Sequence, residues 1–140
     1  MNAVSKPISL PVRAPAIGSI WPGQGGYYAG LARGQDGAPD YHLIVAPAAQ
    51  DAIKWKAAQS WASTQDVDGH RDYDLPDRHE QALLFANVPE LFEKDWYWSG
   101  AQHASDPDFA WSQHFSLGHQ FTNLKYDALR ARAVRRLNIQ

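Results

Sequence analysis

The chain reads as an α+β domain in which two helices flank a small antiparallel sheet. Three observations carry that expectation. Apolar residues alternate with a strand period in the first and last thirds, and follow a helical period only in the middle. The resulting order, β-β-β-α-α-β-β-β, segregates helices from strands, whereas a wound parallel sheet alternates them. The 140 residues hold no internal repeat and no linker, so they bound one domain.

Each element has its own signal. Ile17–Trp21 and Tyr27–Arg33 flank Pro22-Gly23-Gln24-Gly25-Gly26, a turn cluster, and predict a hairpin. Gly34–Asp40 is turn chemistry again. Tyr41–Ala46 is β-branched and aromatic, a third strand closed by Pro47. Over Gln50–Ser63 the period changes: Ile53, Ala57 and Trp61 recur every fourth residue, with Ala58 and Ala62 widening the stripe and Asp51 near its start. Thr64–Tyr73 is a polar loop. Asp77 followed by Glu80, just after Pro76, forms a capping box that starts a second helix running to Phe85 or Ala86. Pro89–Phe92 adds a short turn.

The last third is β again. Trp96–Gly100 is a strand, and Asp106-Pro107-Asp108 a turn. Phe109, Trp111, Gln113, Phe115 and Leu117 alternate along a strand that Gly118 ends. Arg130–Leu137 is the terminal strand, with Ala131 and Ala133 on one face and Arg132, Val134 and Arg136 on the other.

Composition excludes several functions. Thirteen Lys+Arg against fifteen Asp+Glu give a net charge of −2, without the basic footprint of a general nucleic-acid binder. The absence of cysteine removes disulfides, thiolate catalysis and cysteine zinc sites. Residues 1–15 carry Lys6, Arg13 and three prolines but no apolar signal-peptide core. They predict an extended arm, free or docked on another subunit, ahead of a single domain over residues 16–140. No window approaches the ~20 apolar residues of a membrane span. The expected site is therefore the compartment of synthesis, or an assembled particle.

The motifs that could carry chemistry each have a plainer reading. Gly23-Gln24-Gly25-Gly26 could cradle a phosphate, but it lacks the Lys-Ser/Thr of a P-loop and reads as a tight turn. Asp66, Asp68, Asp72 and Asp74 could hold calcium, but their spacing misses the EF-hand loop and fits a solvated loop. His103, His114 and His119 have no metal-ligand spacing. No Gly-x-Ser-x-Gly elbow is present. No catalytic residue, metal or cofactor is expected. Arg130, Arg132, Arg135 and Arg136 read as a charged strand face that pairs with the acidic loops. Trp96, Trp98, Phe109, Trp111 and Phe115 read as core. Trp21, Tyr27, Tyr28 and Tyr126 are the rings left for function.

The second half carries a resemblance. Asp74-Leu75-Pro76-Asp77-Arg78-His79-Glu80 resembles "W-R-L-P-T-x-x-E-L", and Tyr97-Trp98-Ser99-Gly100-Ala101-Gln102 resembles "Y-W-S-S-T". Ala110–Gly118 is similar to "A-W-x-x-x-F-x-x-G", and Arg132–Arg136 to "V-R-x-V-R". Four such segments in order, over roughly residues 50–137, resemble the Lcl C-terminal domain family of bacteria and phages. The chain departs from that pattern at Asp74 and Gly100 and lacks the family's frequent cysteines. The resemblance implies a C-type-lectin-like fold in a phage or prophage protein. The oxidase relatives of that fold use cysteines, which this chain lacks.

Function is then expected in binding. Gln102–Lys125 is rich in Gln, His, Ser, Asp and Asn with a few rigid rings, as in paratopes. Gln102, His103, Asp106, Asp108, Gln113, His119, Gln120, Asn123 and Lys125 are the candidate ligand-binding residues. The expected partner is a host or phage protein, or a glycan, met in host cytoplasm or on a virion. Homo-oligomerisation is compatible with this reading; nucleic acid and membrane are not expected partners. The alternatives are a particle subunit assembling through the N-terminal arm, and a metal-dependent enzyme of the lectin-like class.

Overall fold

A computed structural model describes residues 13–139. The first twelve positions of the expected arm lie outside the described residues. The elements are β1 (Ile20–Trp21), β2 (Gly26–Ala32), β3 (Tyr41–Ile53), α1 (Trp55–Ser63), α2 (Arg78–Asn87), a 3-10 turn (Pro89–Leu91), β4 (Trp96–Gln102), β5 (Phe109–His114), β6 (Gln120–Leu124) and β7 (Leu129–Asn138). The α+β class with two helices holds. The sheet is larger than expected, with seven strands in the order β1-β2-β3-β7-β4-β5-β6.

Its spine is the antiparallel pair β3 and β7, in register from Tyr41 opposite Asn138 to Ile53 opposite Leu129. Leu43, Ile44, Val45 and Ala46 are all buried, so β3 has protein on both faces. Leu43 and Val45 pack with Leu84, Val88, Phe92 and Tyr97, while Ile44 meets Trp21 and Tyr28. On β7, Ala131 and Ala133 pack in the second cluster, and Val134 in the first. That matches the two expected faces, but both are covered.

The second cluster explains its alanines. Trp55 and Trp98 are buried among Ala46, Ala58, Ala62, Ala110, Ala131 and Ala133, small residues that make room for two indoles at core density. Both indole N–H groups are satisfied: Trp98 donates to the Ile53 carbonyl and Trp55 to that of Ser99, each at 2.8 Å.

The strand β3 runs through Pro47 instead of stopping there. The pairing with β7 shifts register between Val45 and Ala49, so the missing proline N–H falls in an irregularity. Five residues expected to open the first helix therefore belong to β3 or its end. The helix starts at Trp55 and buries Trp55, Ala58 and Ala62, whereas Ala57 is exposed. The expected strand over residues 109–117 ends at His114. Its chain turns at Gly118, which has φ +80° and where a Cβ would lie 2.7 Å from the Phe85 ring. The return strand, β6, was not expected. A single parallel pairing, Tyr97 opposite Arg130, joins the β4–β5–β6 group to β7. Among the described residues, no helix is long and apolar enough to cross a membrane.

Candidate functional site

The β4–β5–β6 group carries the candidate residues. Strand alternation sends Trp111 and Gln113 toward α2, and Ser112 and His114 to the opposite face. The capping box holds the start of α2 there: Glu80 N–H donates to Asp77 at 2.8 Å and Asp77 N–H to Glu80 at 2.9 Å.

Three side chains, Gln113, Gln120 and Arg78, tie this helix end to the sheet. Gln113, only 1% exposed, donates from Nε2 to the Gln81 carbonyl at 2.6 Å. Its Oε1 accepts from Gln120 Nε2 at 2.8 Å. Gln120 also donates to the Arg78 carbonyl at 2.8 Å and accepts from Arg78 Nε at 3.0 Å. The Arg78 guanidinium lies 3.5 Å over the Trp111 ring. These ties line an open groove of about 650 Å³ with Asp77, His79, Phe85 and Leu117. Gln113 and Gln120 thus line the groove with their amides already engaged.

The loop after β4 is held by its own side chains. His103 Nδ1 accepts from the N–H groups of Ser105 and Asp106, each at 3.1 Å, and its ring stacks on Trp111 with 6.0 Å between centroids. Asp106 accepts from Asp108 N–H at 3.1 Å. Asn123 on β6 accepts from Ser112 Oγ at 2.5 Å.

The open part of this region is apolar. Eight large hydrophobic residues are exposed among the described residues, and four of them fall between positions 117 and 126: Leu117 at 68%, Phe121 at 57%, Leu124 at 43% and Tyr126 at 75%. They border β6, an edge strand paired only with β5. A row of edge-on rings crosses one face: His114 to Trp96 at 5.0 Å, Trp96 to Phe121 at 5.6 Å, and Phe121 to His119 at 6.2 Å.

Beyond the end of β6 lies a smaller pocket of about 260 Å³, lined by Lys54, Lys56, Asp108, Lys125 and Tyr126. Lys125 Nζ lies 4.5 Å over the Trp55 ring and donates to Gln102 Oε1 at 2.6 Å. So Gln102, Asp108 and Lys125 come together here, Gln113 and Gln120 at the groove, and His103 and Asp106 in the loop between. His119 and Asn123 stay on β6 and its approach.

The other motifs serve the fold. The amide of Gly25 donates to Asp68 at 2.9 Å, so a carboxylate of the chain already occupies the glycine turn. Asp66 pairs with Arg71, Asp72 with Arg135, and Asp74 with Arg136. The acidic loop thus meets the terminal strand's arginines, as the charge pattern suggested. Arg132 has no acidic partner. It is buried and donates to the carbonyls of Ala46, Pro47 and Leu91, and burial lowers its pKa. Burial raises the Asp72 carboxyl, but its bond to Arg135 outweighs this and the net shift is downward. Burial pushes the Tyr73 phenol up to about 12, and its hydroxyl donates to the Gly25 carbonyl at 2.7 Å. Among the described residues, no three His, Asp or Glu side chains converge as metal ligands.

Of the four rings left for function, Trp21 and Tyr28 are buried around His42, and Tyr27 packs on the first core cluster. Tyr126 alone stands exposed. Lys54, Lys56 and Arg78 were not among the expected site residues. Lys54 and Lys56 fall inside the helix expected over Gln50–Ser63, away from its apolar stripe. The missing Ser, Thr, Asp or Asn before Gln50 was the available signal that the helix starts elsewhere. No protein-family model matches the chain, and no curated protein matches it.

Proposed function

We propose that the chain is a non-catalytic binding module of the C-type-lectin-like class, phage-encoded, which recognises a host protein through the β6 edge of the β4–β5–β6 group. The observation that carries this reading is the exposure of Leu117, Phe121, Leu124 and Tyr126 along and beside an open edge strand, with Phe121 and Leu124 on its two opposite faces. Four of the eight exposed large apolar residues fall on or beside this one short edge strand, a concentration that favours an interaction edge over scattered surface residues. Aromatic side chains beside a free strand edge favour a protein over a glycan, since an extended segment can add to the edge while side chains fill the gaps. The lectin-like class is supported by four family-like segments in order, and by the pairing of β3, from the first half of the chain, with the C-terminal strand β7.

The test is capture by the full chain from host lysate, compared with Phe121→Arg and Leu124→Arg. A protein bound by the parent and lost by both variants is the expected result. A central aromatic contact is worth ~2 kcal/mol or more, about a thirtyfold loss of affinity. Undiminished capture by both variants, with unchanged melting, overturns the assignment.

A further inference from the structure

We infer that the pocket formed by Lys54, Lys56, Lys125 and Tyr126 is an anion subsite that takes a carboxylate side chain from an acidic segment of the partner protein. The inference rests on the protein-binding reading and gives that partner a charge.

Three lysines line the pocket with a single acidic residue, Asp108. Among the described residues, none of the three lysines makes an ion pair. Four arginines elsewhere, Arg71, Arg130, Arg135 and Arg136, each meet a carboxylate, and the unpaired Arg132 is buried against backbone carbonyls, whereas the three lysines share one pocket. Uncompensated like charge around a cavity is a cost to the fold that a bound anion offsets.

The start of α1 breaks a second local rule. Its N-cap is Lys54, with no side-chain cap, and no acidic residue lies in the first turn. The partial positive charge of a helix start ordinarily attracts Asp, Glu or a capping oxygen, as it does on α2. Here two lysines stand at that end instead. A conflict between local preference and the residues present is expected where function overrides stability.

Lys125 is positioned rather than free. Its backbone carbonyl accepts from Trp55 N–H at 3.2 Å, and its own N–H donates to the Asp108 carbonyl at 3.0 Å. Its Nζ is steered by the Trp55 ring and by Gln102, which uses one of the three ammonium donors. Tyr126 adds an exposed ring and hydroxyl. A volume of about 260 Å³ suits one short side chain. Lys125 directly follows Leu124, the last residue of β6, so a segment lying along that edge delivers a side chain to the pocket.

The experiment is an NMR titration of the full chain, following the Trp55, Lys56, Lys125 and Tyr126 amides. The probes are N-acetyl-glutamate methylamide, its glutamine counterpart, glucuronate and inorganic sulfate. The glutamate probe is expected to give saturable shifts in the millimolar range that weaken with added salt, and the glutamine probe none. Lys54→Gln/Lys56→Gln/Lys125→Gln should weaken the glutamate probe at least about tenfold, while Phe121→Arg should leave it unchanged. No saturable shift, equal shifts with the neutral probe, or shifts that persist in the triple variant overturn the subsite. Tighter binding of glucuronate or sulfate than of glutamate overturns the peptide assignment. Loss of capture by Phe121→Arg with a silent titration refutes only the subsite. A normal titration with undiminished capture by Phe121→Arg refutes only the larger surface.

Discussion

Replacing Glu80 by Gln tests a fully buried carboxylate and its pairing with Arg136. The Glu80 carboxylate is fully buried and accepts four hydrogen bonds. Oε1 takes Asp77 N–H at 2.9 Å and Arg136 Nη2 at 2.7 Å, and Oε2 takes Arg136 Nε at 2.8 Å and Tyr41 OH at 2.5 Å. A glutamine keeps one accepting oxygen. Its NH2 can be met by a rotated Tyr41 hydroxyl, but it faces Arg136 Nε donor to donor. Breaking a buried pair costs ~3–5 kcal/mol. The Arg136 side chain is 36% exposed and can regain water, so the lower end applies, about 3 kcal/mol. For a chain of 140 residues that lowers the melting temperature by about 10 °C.

The pH dependence gives an independent check. Burial raises the Glu80 carboxyl, but Arg136, Tyr41 and the Asp77 N–H together outweigh it, and the net shift is downward. A lowered folded pKa means stability that is present above the ordinary carboxyl value and lost as pH falls through the folded one. Urea unfolding of both proteins from pH 7 to pH 3 should therefore show a gap that narrows with acid. Asp72, lowered against burial chiefly by Arg135, and Asp95, lowered against burial by the Trp96 N–H and Arg130, make both proteins lose stability over that range. A gap below about 0.5 kcal/mol at pH 7, or one that stays constant on acidification, would refute the reasoning.

Three further outcomes follow from the packing. Trp98→Ala should cost about 4 kcal/mol in denaturant unfolding, because the surrounding alanines cannot fill the void; a loss under 2 kcal/mol would mean the cluster collapses freely. Gly118→Ala should lower thermal stability by about 1–2 kcal/mol, since φ is +80° and the added Cβ meets the Phe85 ring; a neutral result counts against that geometry. Lys54→Asp supplies the missing cap of α1 and should raise stability by about 1 kcal/mol, or roughly 3 °C in melting, while weakening the glutamate probe. Unchanged melting would show that the helix start is not destabilised by its lysines.

Local signals in this chain are legible, and non-local ones are not. Asp77 and Glu80 lie three residues apart and satisfy each other, so the start of α2 is readable from the sequence, and the structure has it there. The alternation of Ala131 and Ala133 with Arg132 and Val134 likewise places the faces of β7. Nothing local reveals that Trp98 fills the space those alanines leave, because the contact crosses the molecule. Pro47 misleads for a related reason: it ends a strand by default, and only the register shift against β7 lets β3 continue past it. The strand β6 is short, with its two apolar residues on opposite faces, and its pairing depends on the Gly118 turn rather than on its own pattern. The polar candidate residues mostly close hydrogen bonds within the domain. A Gln at an interior position and one at a surface have the same letter, and Gln113 shows that composition alone does not separate them.

The start of α1, which the sequence pattern misplaces, coincides with the proposed anion subsite, and the coincidence has a cause. A helix that begins with a conventional cap announces itself, as α2 does. The helix α1 begins with Lys54-Trp55-Lys56, which serves neither capping nor the helix dipole, so the periodicity of Ile53, Ala57 and Trp61 draws the expected start too far back. In that misplaced frame the two lysines are ordinary mid-helix surface charges. In the actual frame they stand at a positive helix end, beside Lys125 and Tyr126 from a segment some seventy residues away in sequence. The fold tolerates this concentration of charge because α1 is secured from its other side: Trp55 buries its indole and bonds Ser99, while Ala58 and Ala62 pack beneath Trp98. Stability is thus supplied by the inner face of α1, which leaves the outer start of the helix free to be shaped by an acidic partner.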